Sequence, residues 1–354
     1  MPRPDRSAMI DVFLTQLVRN HPRDLVAIVA EEAKVSRTAV VARVRNLIAE
    51  GQLVKEGTTR PIYRPGPKHV QVFVYEREGL EEDRVWRKDV LPLLRNAPQN
   101  VIEIAQYGLT EMVNNAVDHS EGRAVVVCVH QFAESIKLAV SDNGAGIFAK
   151  ISRALELPDQ RLALLELSKG KLTTDPSRHS GEGIFFTSRM FDTFQIISGG
   201  LLFSHDANHE KDILLEDSNP LTQHTKMSTI VKMCISMESK RLMEQVFAEY
   251  SSGPDEYAFS KTVVPVRMAK LGDENLVSRS QAKRVLQGVH RFRHIVFDFA
   301  SVGKIGQAFA DEIFRVFAIA HPDIEIEHIH ATPEVQQMIR RAEVLRDENA
   351  TNPN

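Results

Sequence analysis

Glu111-Met112-Val113-Asn114-Asn115-Ala116-Val117-Asp118-His119, followed by Ser141-Asp142-Asn143-Gly144-Ala145-Gly146-Ile147, is the part of the chain that decides its reading. Around the first run, over residues 98–120, Ile102, Ala105, Leu109, Met112, Val113 and Ala116 recur at helical spacing. That stripe predicts an amphipathic helix with one side in a core. Glu111 and Asn115 are four residues apart and share another face, which Asp118 and His119 extend. An acid and a carboxamide side by side suit a hydrated Mg²⁺ and the orientation of a water. His119 also fits a capping or packing role. The second run ends a strand. Ile136, Leu138 and Val140 alternate over residues 135–141 and deliver Asp142 just before Gly144 and Gly146, with an earlier strand expected over 123–130. The glycines allow the backbone to approach a ligand closely.

Two further runs continue the pattern: Ser180-Gly181-Glu182-Gly183-Ile184, at the start of a helix expected over 184–194, and Ser228-Thr229. In this order, over roughly residues 70–236, the four runs resemble the nucleotide boxes of the GHKL ATPase superfamily. Asn-Ala-Val-Asp-His-Ser is most similar to the version in anti-sigma-factor kinases. The resemblance implies a histidine kinase-like (Bergerat) α/β sandwich that binds ATP and Mg²⁺. It implies that Asp142 accepts from the adenine amino group, Asn115 is the Mg²⁺ ligand and Glu111 polarises the attacking water or hydroxyl. Gly144 and Gly146 would line the ligand, Gly181 and Gly183 would present N–H groups to the phosphates, and Thr229 would support Asp142 and the adenine. Helix N-termini favour such anions. The last box departs from the family, with Ser228 where glycine is usual. Residues 148–180 would form a lid in which Lys169, Lys171, Arg178 and His179 could meet phosphate charge; a solvated loop is the simpler reading of those cations.

Upstream, Met9, Ile10, Phe13, Leu14 and Leu17 mark a first helix, 25–33 a second, and Val40, Val41, Val44, Leu47 and Ile48 a third that Ser36 can cap. Residues 52–64 read as a hairpin. Three helices and a hairpin resemble a winged helix-turn-helix domain. Arg37, Thr38, Arg43, Arg45 and Arg60 would then face DNA phosphates and base edges. The charge agrees: residues 1–70 hold twelve Lys/Arg and seven Asp/Glu, a local +5, which leaves −8 for the rest of a chain whose net charge is −3. A winged helix used for protein contact or dimerisation is the alternative.

Downstream, Ser251-Ser252-Gly253-Pro254-Asp255 reads as a linker. Strands expected at 259–265, 294–299 and 324–329 alternate with helices at 278–289, 308–320 and 333–346, a small α/β layer domain. Val296-Phe297-Asp298-Phe299-Ala300-Ser301-Val302 with Ile305-Gly306-Gln307-Ala308-Phe309 resembles the STAS-like domains related to anti-sigma-factor antagonists. The antagonists' phosphorylated turn serine has no counterpart at Gly306-Gln307-Ala308-Phe309; Gly306 to Glu312 could instead form a partner surface.

With 354 residues, 43% hydrophobic and 26% charged, the chain has material for several cores. The expected division is 1–65 winged helix, 69–240 ATP-binding domain, 255–347 STAS-like domain and 348–354 a disordered tail, with Arg64-Pro65-Gly66-Pro67-Lys68 as the first linker. The fold class is therefore multidomain α+β. The two cysteines, Cys128 and Cys234, lie in apolar runs and are expected as buried free thiols. No run approaches the ~20 apolar residues of a membrane span, and a cytoplasmic protein is expected. The leading expectation is an ATP-binding regulator in which nucleotide and Mg²⁺ control a DNA-binding domain and a STAS-like partner domain that meets a regulatory protein; a homodimer is compatible. The alternatives are a serine/threonine protein kinase acting on a separate partner and an interaction scaffold without DNA binding. Whether ATP is hydrolysed, transferred or only bound is left open by the residues, although no histidine phosphoacceptor motif is found.

Overall fold

The computed structural model describes residues 7–66, 70–94, 97–132, 134–172, 181–207, 211–216, 228–253, 256–272 and 274–351. Pro67-Lys68, Arg178, His179, Ser180, Pro254-Asp255 and Asn352-Pro353-Asn354, all assigned roles above, lie outside the described residues. The chain packs as two compact units: residues 1–144 with 230–240, and residues 145–229 with 241–354.

The first unit begins with helices α1 (Ser7–Leu17), α2 (Leu25–Glu32) and α3 (Arg37–Ala49), then an antiparallel pair, β1 (Leu53–Glu56) and β2 (Ile62–Pro65). Leu14, Leu25, Val29, Val40, Val44 and Leu47 close their common core. Each such side chain contributes about 1.5–3 kcal/mol on burial. Ser36 caps α3 by accepting from the Ala39 N–H at 3.3 Å. α1 also reaches β3 (Gln71–Glu76): the Gln16 side-chain amide donates to the Val72 carbonyl at 2.7 Å.

β3 is the edge of a sheet whose order in this unit is β3-β4-β5-β9, with β4 (Ala124–Gln131), β5 (Ser135–Asp142) and β9 (Thr229–Ser236). The β3–β4 and β4–β5 pairs are antiparallel. Between β3 and β4 run a short helix, α4 (Glu82–Arg84), which continues in π-helical turns over Val85–Val90, and the long helix α5 (Gln99–His119). α5 packs on β4 and β5. It buries Val101, Ile104 and Gly108 as well as the expected Ala105, Leu109, Met112, Val113 and Ala116, while Ile102 is only half-buried. A helix lying on a sheet covers a band wider than a single stripe, so its edge falls one residue from the simple heptad reading.

In the second unit α6 (Ile147–Ala154), α7 (Leu162–Lys169) and α8 (Gly183–Met190) precede an antiparallel meander, β6 (Thr193–Ser198), β7 (Leu201–Asp206) and β8 (Lys211–Glu216). α8 stops four residues short of the expected end. Phe194 and Ile196 are buried on one face of β6 with half-buried neighbours, the two-residue period of a strand. Arg241 fills the break, donating to the Met190 carbonyl and the Asp192 carboxylate, both at 3.0 Å.

The chain then forms α9 (Met243–Glu249) and a small hairpin, β10 (Ser251–Gly253) with β11 (Glu256–Phe259). Where a linker was expected at Ser251-Ser252-Gly253, the backbone is therefore paired. A parallel sheet follows, β12 (Lys261–Pro265), β13 (His294–Asp298) and β14 (Glu325–Ile329), in that order. Parallel strands need crossovers. These are α10 (Arg279–Leu286), with a Ser278/Gln281 capping box, and α11 (Gln307–Asp311), which runs on through π-helical turns Glu312–Phe317 into α12 (Ala318–Ala320). The last helix, α13 (Pro333–Thr351), extends past residue 346 into the stretch expected to be a tail. The whole is a multidomain α+β architecture. Among the described residues no helix is long and apolar enough to cross a membrane. Cys128 and Cys234 are not joined in a disulfide and are half-buried, less enclosed than expected, and burial pushes the Cys128 thiol up from its ordinary value.

Candidate functional site

Glu111 and Asn115 stand one turn apart on α5, both half-buried, beside the buried Met112, Val113 and Ala116. The helix has this face because its apolar side is spent on β4 and β5. Its C-terminal end is held by Arg77, whose guanidinium donates to the Val117 carbonyl at 2.8 Å and the Gly122 carbonyl at 2.6 Å. That places a cation at a helix C-terminus, where the dipole favours it.

Asp142 is the last residue of β5 and half-buried. Its Oδ1 accepts from the Gly144 N–H at 2.8 Å, an Asx-type turn that orients the carboxylate. Asn143 is turned the other way, and its Oδ1 accepts from the Arg123 and Ala124 N–H groups at 2.8 and 3.1 Å. Gly144 is buried, and a Cβ on it would overlap the carbonyl oxygen of Ser120. The close approach that Gly144 permits is thus to the protein's own backbone after α5. Sequence reasoning missed Ser120, Asn143 and Arg77 as the groups that fix this turn; the Asp-Asn-Gly composition carried the signal for Asn143.

Glu111, Asn115, Asp142 and Gly144 belong to the first unit; Gly146, Gly181, Gly183 and Thr229 belong to the second. In the second unit Gly146 has φ +81°, and a Cβ there would lie 2.8 Å from the Ser198 hydroxyl, which itself donates to the Ser228 carbonyl at 2.8 Å. Thr229 is buried, and its hydroxyl accepts from the Ile147 N–H at 3.0 Å, so it anchors the first turn of α6. Gly181 has φ +75°, and a Cβ there would lie 2.5 Å from the backbone of Leu172. The Gly181 carbonyl accepts from the Leu172 N–H at 3.1 Å. Gly183 opens α8, whose N-terminus has no side-chain cap among the described residues. Its first N–H groups are therefore the uncapped donors of a helix end. Between the two glycines, Glu182 is half-buried; burial raises its carboxyl above the ordinary range, and Lys171 opposes the rise.

The expected lid cations separate. Lys169 is only 2% exposed and donates to Glu166 at 2.7 Å and to the carbonyls of Arg284 and Gln287 at 3.0 and 2.9 Å. Its three protons are spent within the protein, so the reading of Lys169 as a phosphate partner is corrected. Burial lowers its ammonium, against the pull of Glu166. Lys171 is half-buried.

In the N-terminal segment Arg37, Thr38, Arg45 and Arg60 are exposed as expected. Arg43 is not: it is half-buried and forks onto both oxygens of Asp11, with Nε to Oδ1 at 2.8 Å. In the C-terminal part Ser301 is exposed with φ +64°, a turn conformation. Of the expected partner surface Gly306 to Glu312, Gln307 and Ala308 are exposed while Phe309, Ala310 and Asp311 are buried. Asp311 is held by the Arg315 guanidinium, which keeps its carboxyl below the usual range. His294, Glu325 and Glu327 bring one ligand atom each within 4.8 Å of one another, with His294 Nε2 already 3.2 Å from Glu327; this is a contact between the central strand β13 and the edge strand β14, separate in the chain from Asn115.

Residues 70–201 match the family described as histidine kinase-like ATPase domain, a stretch that contains α5, β5 and the turn at Asp142. Residues 281–336 match the STAS-like domain of unknown function (DUF4325). No curated protein matches the chain. The chain therefore carries a GHKL-like ATPase domain and a STAS-like domain, a pairing consistent with a nucleotide-binding regulator.

Proposed function

We propose that the chain is a regulator that binds ATP with Mg²⁺ and passes its nucleotide state to its flanking domains. The observation that carries this reading is the ATPase-domain match over 70–201, with Glu111 and Asn115 on one face of α5 and Asp142 oriented at the end of β5. The residues fit the ligand. Oxygen donors of Asn115 and Glu111 suit a hard cation, and the uncapped start of α8 at Gly183 suits a phosphate. Asp142 would accept from the adenine amino group, Asn115 would ligate Mg²⁺, and Gly181 and Gly183 would donate to phosphate oxygens. Bound Mg²⁺ would neutralise phosphate charge. Glu111 would hold the attacking water or hydroxyl and take its proton. Thr229 and Ser120 keep the two turns in shape through the Ile147 and Gly122 N–H groups.

Titration of the full chain with ATP and Mg²⁺, followed by heat and by phosphate release together, tests this. Wild type should bind, and Asp142→Asn should lose most of that affinity. Unchanged affinity in the variant would sink the site assignment. Transfer of the γ-phosphate to an added protein, rather than to water, would favour the kinase reading.

A second proposal concerns the N-terminus. The exposed Arg37, Thr38, Arg45 and Arg60, on α3 and the β1–β2 hairpin, support DNA binding by a winged-helix arrangement. Duplex affinity should fall steeply with salt; a salt-insensitive or absent interaction would favour the scaffold reading.

A further inference from the structure

The segment from Glu166 to Leu172 joins the glycine run Gly181-Glu182-Gly183 to the STAS-like part of the chain through bonds at Lys169, Lys171 and Leu172. All eight residues of α7 are buried. At its end, the Lys169 ammonium is held by the last carbonyls of α10 and the residue after it, Arg284 and Gln287. The Thr262 hydroxyl on β12 donates to the Lys169 carbonyl at 2.6 Å. Gly170 has φ +79°, and a Cβ there would lie 2.6 Å from the Phe259 ring.

Next comes a reciprocal clasp. Lys171 Nζ donates to the Arg291 carbonyl at 3.1 Å, and Arg291 Nη1 donates back to the Lys171 carbonyl at 2.8 Å. The same ammonium lies 4.9 Å from the Phe292 ring centre and 5.5 Å from that of Phe259. One residue on, the Leu172 N–H is bonded to Gly181. Lys171 also attracts Glu182, the residue between the two box glycines. The cation of the clasp thus stands one residue from the backbone bond that ties Leu172 to Gly181.

We propose that phosphate at the second glycine box and the Arg291 clasp compete for Lys171, so that the STAS-like part both senses and restrains nucleotide binding. This rests on the nucleotide reading above. A polyphosphate brings several negative charges to the box, where Glu182 supplies one. Lys171 would turn toward them and release the Arg291 carbonyl and the two rings. Linkage makes the effect reciprocal: what holds the clasp weakens the nucleotide, and what breaks it strengthens the nucleotide.

The test uses the full chain, with ATP and Mg²⁺ titrated into wild type and Arg291→Ala. Arg291 is exposed; the substitution removes the Nη1 bond to the Lys171 carbonyl, loosening the main chain that aims the ammonium into the clasp, while the Arg291 carbonyl stays in place. The expected result is tighter binding in the variant, about fivefold or more. Simple loss of a nearby cation would give the opposite sign, weaker binding, and would overturn the proposal; equal affinity would overturn it too. Hydrogen exchange on wild type is the second reading and needs no variant. Saturating ATP and Mg²⁺ should speed exchange at the Arg291 and Phe292 amides, which bond to the Gly288 and Val289 carbonyls. Unchanged exchange with proven binding would overturn the coupling while leaving the nucleotide site intact. Wild type that binds no ATP would overturn both.

Discussion

Gly144 and Ser120 approach so closely that no side chain fits between them: a Cβ on the glycine would overlap the serine carbonyl oxygen. The loop after α5 and the turn after β5 are thereby locked together, with Asn143 bonding back to Arg123 and Ala124. Gly144→Ala should destabilise the protein by about 1–3 kcal/mol, the usual cost of overpacking. Asn143→Ala should cost about 1 kcal/mol through two lost hydrogen bonds. Urea midpoints of the two variants check both values, and a neutral Gly144→Ala would refute the packing argument.

Arg43 should behave as a structural residue and its neighbours as surface ones. Arg43→Ala and Asp11→Ala should each lower stability by about 1 kcal/mol, and the double variant should lose little more than either. Arg37→Ala with Arg45→Ala should leave the melting temperature alone and, under the DNA-binding reading proposed above, flatten the salt dependence of duplex affinity by about one unit per lost phosphate contact. A melting-temperature loss in the second pair would contradict the exposure seen for those side chains.

The Lys169–Glu166 pair is buried on both sides, at 3% and 8% side-chain exposure. Lys169→Met strands a carboxylate and should cost about 3–5 kcal/mol. Lys169→Met combined with Glu166→Leu should recover part of that, because an apolar pair leaves no uncompensated charge. Chemical denaturation of the two variants distinguishes these cases; equal losses would assign the cost to the Arg284 and Gln287 carbonyls instead.

Asp311 supplies a pH signature. Its carboxyl is held below the ordinary value of 3.8, first by the hydrogen bond from Arg315 and also by the charges of Arg315 and Arg279. A depressed folded-state value means that its stabilisation is complete above the ordinary value and is lost as pH falls through the lower one. The melting-temperature gap between wild type and Asp311→Asn should therefore be widest near neutral pH and should close as pH falls below the ordinary carboxylate range. A gap that stays constant with pH would remove the charged form from the explanation.

The helix carrying Glu111 and Asn115 and the strand ending at Asp142 were legible because each has a short local period and a marked end. The same holds for α3, where Ser36 announces the cap. What stayed hidden is pairing over distance. Nothing in the sequence near Arg43 points to Asp11, 32 residues earlier, and nothing near Lys169 points to Arg284, 115 residues later. Non-local bonds leave no periodic trace. The α8 end was misjudged because Phe191 and Phe194 prolong a helical spacing while Thr193 to Ser198 already alternate as β6. Gly144 and Gly146 were visible as glycines, but the reason for them is contact with the Ser120 backbone and the Ser198 hydroxyl, distant partners that leave no local mark.

The hairpin at Ser251–Gly253 and Glu256–Phe259 occupies the place where a flexible tether would let two modules be cut apart and moved. Ser251 is paired with Phe259, and residues 145–229 pack in the same unit as 241–354. A truncation at this point would sever a β-pair and strip the cover from α7. The C-terminal half is therefore not a transplantable cassette: recombination or engineering that swaps it must carry the segment around α7 along with it, or rebuild the surface left behind.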